Sequence, residues 1–90
     1  MKRDMITDEQ IERAKELIVE RLHAVIEQKG KDSFASAQEL RGVLNTEVDE
    51  FNKEVRVHGN SRRLKHELCD VAITCIFGIA CINAQRSKGK

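Results

Sequence analysis

The stretch Glu67-Leu68-Cys69-Asp70-Val71-Ala72-Ile73-Thr74-Cys75-Ile76-Phe77-Gly78-Ile79-Ala80-Cys81-Ile82 decides the fold. From Val71 to Ile82 no residue carries a charge, and the apolar side chains point in every direction around a helix axis. A helix that is apolar all round must be buried all round. Two further helices in a chain of 90 residues cannot cover it completely. One face, opened to close approach by Ala72, Gly78 and Ala80, is therefore expected to meet another subunit. Glycine in a helix interior costs about 1 kcal/mol relative to alanine, and close packing is its compensation here.

The remainder of the chain reads as helical too. It contains no proline and five glycines, with almost no strand-like alternation. A first helix should begin after Thr7, with Gln10 completing a capping box, and run to about Gln28, presenting Ile11, Ala14, Ile18, Leu22 and Val25 on one face before Gly30 ends it. A polar connection, residues 29–35, holds Phe34. Ser36 and Glu39 offer a second capping box for a helix carrying Leu40, Val43, Leu44, Glu47, Glu50, Phe51 and Val55, which Gly59 stops. His58-Gly59-Asn60-Ser61 is then a short turn, with Asn60 or Ser61 capping a last helix that runs to roughly Asn83. So short a turn makes the last two helices antiparallel neighbours. The prediction is one all-α domain spanning residues 1–90, with residues 1–6 and 85–90 as flexible termini.

Composition narrows the class of function. Sixteen basic against 15 acidic side chains leave a net charge of +1, which argues against a broad nucleic-acid footprint. No secretory leader opens the chain, and the uncharged run from Val71 to Gln85 is short for a membrane span, so a cytoplasmic protein without a membrane partner is expected. Cys69, Cys75 and Cys81 stand six residues apart on one helix, roughly 9 Å along its axis. That is too far for a disulfide, and they read as reduced packing residues. No CxxC or Cys/His spacing suggests structural zinc. A domain of this size buries only about 60% of its unfolded surface, so association with its own kind is expected.

Two acid pairs point to chemistry. Glu47 with Glu50 and Glu67 with Asp70 are each spaced i, i+3, and residues 51–66 lie between the pairs. Each pair shares one helix face, so two antiparallel helices can aim four carboxylates into one gap. They border apolar stripes: Leu44, Val48, Phe51 and Val55 beside the first pair, Leu64, Leu68, Val71 and Cys75 beside the second. Buried carboxylates need compensation, and a hard divalent cation such as Mg2+ supplies it through oxygen ligands. On spacing alone the same acids also fit a solvated face paired with Lys53, Arg56, Arg63 and Lys65. Asp49 projects away from the stripe; Glu54 stacks one turn beyond Glu50, placed either to salt-bridge or to join the shell.

The segments Glu47-Val48-Asp49-Glu50-Phe51 and Glu67-Leu68-Cys69-Asp70-Val71 resemble the ExxE…ExxD signature of the MazG-like all-α nucleoside triphosphate pyrophosphohydrolases. Upstream, Arg21-Leu22-His23-Ala24, the linker with Phe34, and Leu40 to Glu50 follow the order of the dCTP pyrophosphatase branch, so the resemblance covers about residues 18–82. It implies Mg2+ (or Mn2+) held by Glu47, Glu50, Glu67 and Asp70, with Glu50 or Glu67 acting directly in catalysis, Glu50 as base on the attacking water. It implies a (d)NTP substrate cleaved to monophosphate and pyrophosphate, as in clearing surplus or non-standard nucleotides. A four-helix-bundle-type homodimer or homotetramer is its architecture. His23 becomes a candidate nucleotide contact, Phe34 a surface on which a base can stack, and Lys53 a phosphate contact alongside Arg62, Arg63 and Lys65. Phe51 reads better as core. The chain departs from the pattern where Thr46 replaces the first acid of EExxE, and where it ends without the basic, Asn-containing segment of longer members. A helical oligomerisation or adaptor module without catalysis is the alternative.

Overall fold

The computed structural model describes residues 3–57 and 59–88. Within them the chain is all-α: α1 spans Asp8–Lys29, α2 Ala37–Val57 and α3 Ser61–Lys88. Two compact units divide it, one ending at Gly30 and the other beginning at Lys31.

The first unit is α1. Thr7 caps it as expected: its Oγ1 accepts from the Gln10 N–H at 3.1 Å, and the Gln10 side chain accepts from the Thr7 N–H at 2.9 Å. At the other end the Gly30 N–H donates to the Ile26 carbonyl at 2.8 Å, with Gly30 at φ +84°, a backbone region that side chains rarely adopt. Ile18, Leu22, Val25 and Ile26 are half-buried, whereas Ile11 and Ala14, assigned to the same stripe, are exposed. Exposed pairs Arg13–Glu9 and Lys15–Glu12 decorate the surface and contribute little stability.

The second unit is an antiparallel hairpin of α2 and α3, preceded by a short segment. At the head of α2, Ser36 Oγ accepts from the Glu39 N–H at 3.1 Å, while the Glu39 carboxylate accepts from the Ala35 N–H. The box is thus closed one residue earlier than the reciprocal form. Gly59, at φ +62°, donates its N–H to the Glu54 carbonyl at 2.8 Å and closes α2. Asn60 is the cap of α3, its Oδ1 accepting from the Arg62 and Arg63 N–H groups at 2.9 and 3.2 Å. His58, the first residue assigned to this turn, lies outside the described residues, as do Met1, Lys2, Gly89 and Lys90 of the two tails.

α3 extends to Lys88, beyond the expected end near Asn83. Between Ala84 and Lys88 the sequence offers neither glycine nor proline to stop it, and those are the residues that cost a helix most. By length and composition α3 also meets the requirement for a membrane span, Ser61–Ala84 containing an 18-residue window of mean hydropathy 1.7. The uncharged run alone is too short, but the window tolerates two acids at its start. The core helix of a soluble bundle has the same composition.

The core of the hairpin is narrow. Cys69 and Ile73 are each 5% exposed, and Thr74 and Gly78 are buried beside them. Thr74 satisfies its hydroxyl by donating to the Asp70 carbonyl at 2.9 Å, a local bond available to a threonine inside a helix. Gly78 meets Leu40: a Cβ built on Gly78 would stand 3.0 Å from both Leu40 methyl carbons. This revises the expected use of the small residues. Gly78 lets α2 approach α3 within the chain, Ala72 is half-buried and Ala80 is exposed. The other side of α3 remains apolar and exposed, with Leu68 at 51%, Ile79 at 60% and Ile82 at 50%. Cys75 is exposed as well, so of the three cysteines only Cys69 is a fully buried packing residue.

Candidate metal centre

Two contacts fix the register of the hairpin. Leu40 packs on Gly78, and Glu47, two turns later on α2, lies against Asp70 on α3. Seven residues along α2 therefore run against about eight along α3. Continuing by two more turns brings Glu54 level with Arg62 and Arg63. The polar residues thus gather in the half of the hairpin nearest the turn.

At that level Glu47, Glu67 and Asp70 each offer a carboxylate oxygen within 4.8 Å of the others, and all three side chains are half-buried. Helix periodicity explains the convergence: Glu67 and Asp70 stand one turn apart on one face of α3, and the hairpin register brings Glu47 across to them. Glu50 does not join the cluster and is exposed. A step of three residues turns a side chain by 300° about the axis, about 60° short of a full turn. Glu50 therefore falls on the shoulder of the α2 face that Glu47 occupies squarely. Of the apolar residues assigned to border the acids, Leu44, Phe51, Leu64 and Val71 are half-buried, but Val48, Val55, Leu68 and Cys75 are exposed.

Glu54 has the opposite fate to Glu50. It is the least exposed acid among the described residues, at 9%, because it repeats the position of Glu47 two turns later. Its buried carboxylate is not isolated, and neither are Glu47, Arg63, His66 and Asp70. His66 was not singled out from the sequence. Its Nε2 lies 3.5 Å from Asp70 Oδ2, and the signal that announces it is the i, i+4 step to Asp70 along α3.

The candidate substrate contacts stand on α1, on α2 and in the segment between them. Lys53 is exposed on α2. His23 belongs to α1, where it lines a shallow surface recess with Glu12, Glu16 and Val19. Phe34 is half-buried, and its N–H donates to Cys81 Sγ at 3.3 Å. Cys81 lies eleven residues beyond Asp70 on α3, about 16 Å along the axis, so the backbone of Phe34 is anchored at the end of the hairpin away from the acids.

The donor set suits a hard divalent cation. Mg2+ takes oxygen ligands at 2.0–2.1 Å and commonly uses one or two carboxylates with waters and substrate phosphates, so oxygens on opposite sides of the ion stand about 4 Å apart. Three half-buried carboxylates whose oxygens lie within 4.8 Å of one another come close to that spacing. A cluster of this kind also occurs on proteins that hold no ion. No family model, curated protein or solved structure matches the chain.

Proposed function

We propose that this protein is a Mg2+-dependent nucleoside triphosphate pyrophosphohydrolase acting on (d)NTPs, serving nucleotide-pool house-cleaning in the cytoplasm. The observation that carries the reading is the convergence of Glu47, Glu67 and Asp70 from two helices onto one half-buried point. Surface acids on helices commonly pair with neighbours along their own helix; three acids brought together across a hairpin are a donor set that would suit a shared cation. The motif resemblance to MazG-like enzymes supplies the reaction class.

In this reading Glu47, Glu67 and Asp70 hold the cation, which when bound neutralises phosphate charge and polarises phosphoryl oxygens. His66 steadies the Asp70 carboxylate, in the way that hydrogen-bonded partners orient metal-ligating groups. Glu50, exposed on α2 beside Glu47, accepts the proton of the attacking water. The water oxygen bonds to the α-phosphorus, the bridge to the β-phosphate breaks, and pyrophosphate leaves. The half-buried setting of the acids strengthens each charge interaction relative to open water. The active form is a four-helix-bundle dimer or tetramer.

The test is incubation of the purified protein with a panel of (d)NTPs and Mg2+, with products separated. Monophosphate plus pyrophosphate is the expected outcome. Diphosphate plus phosphate, or no turnover with any metal, would remove the assignment. A second reading, a non-catalytic oligomerisation module, is favoured by the exposed apolar side of α3 formed by Leu68, Cys75, Ile79 and Ile82. These residues follow a 3–4 spacing suited to a helix partner. Light scattering showing an oligomer, together with a silent substrate panel, would select it.

A further inference from the structure

We draw no further inference here: the strongest candidate, the exposed apolar side of α3 formed by Leu68, Cys75, Ile79 and Ile82, carries nothing because nothing in the structure shows what covers it.

Discussion

The two ends of the α2–α3 hairpin are built from different chemistry. Away from the turn, Leu40 closes on Gly78 and the Phe34 N–H reaches Cys81, with apolar contact dominating. Toward the turn, Glu47, Glu67 and Asp70 converge across the hairpin, Glu54 is buried, and His66 stands beside Asp70. Ile73 and Thr74 lie between the two and Cys69 stands within the acid-bearing stretch, the three least exposed side chains among the described residues. Apolar burial in the middle and at the far end holds the helices in register, and that register brings three carboxylates together at the near end. Stability and the candidate chemistry are thus divided along one pair of helices.

The largest test of this division is Ile73→Ala. At 5% exposure, the loss of its side chain should cost about 3 kcal/mol, within the range for large-to-small core changes, read as a lower denaturation midpoint at unchanged slope. If stability instead came mainly from the polar end, the loss would stay below about 1 kcal/mol.

Next in size is the loss of function at the polar end. Glu67→Gln or Glu50→Gln should reduce turnover of the best triphosphate by about 100-fold, the usual scale for a positioned base or charge-stabilising group. The folded state should be nearly unaffected. Glu47→Gln with Asp70→Asn should abolish the Mg2+-induced increase in Tm, because a ligand that binds only the folded state stabilises it by mass action. A persistent shift in that double variant would place the cation elsewhere.

Gly78→Leu sharpens the description of the apolar end. Overpacking against Leu40 should cost roughly 1–3 kcal/mol, and adding Leu40→Ala should recover part of it, because the two side chains compete for one space. Purely additive losses would mean that Gly78 is needed for contact with another subunit instead. The smallest effect is expected at the cap: Asn60→Ala should cost about 1 kcal/mol, with amide exchange accelerating first at Arg62 and Arg63. Acceleration spread evenly along α3 would show that the helix frays as a whole and not from its capped end.

Much of this was legible in residue order. Thr7 with Gln10, Gly30, Ser36 with Glu39, Gly59 and Asn60 announce the helix ends because caps are local chemistry, decided within four residues of chain. The far end of α3 was not legible, since between Asn83 and Lys88 the chain carries no stop signal. The spacing of Glu67 and Asp70 is likewise local, and an i, i+3 pair must share a helix face.

What only tertiary structure decided is how the helices meet. Glu50 and Glu54 look equivalent as acids on α2, yet one is exposed and the other 9% exposed, because the contact line with α3 follows Leu40, Glu47 and Glu54 at seven-residue steps. Gly78 looks like a residue for an external partner, yet it faces Leu40 of its own chain. Periodicity states which residues share a face of a helix. Which face is buried, and against what, depends on the rotation of one helix about its axis relative to the next, and that angle is set by the packing of side chains far apart in sequence.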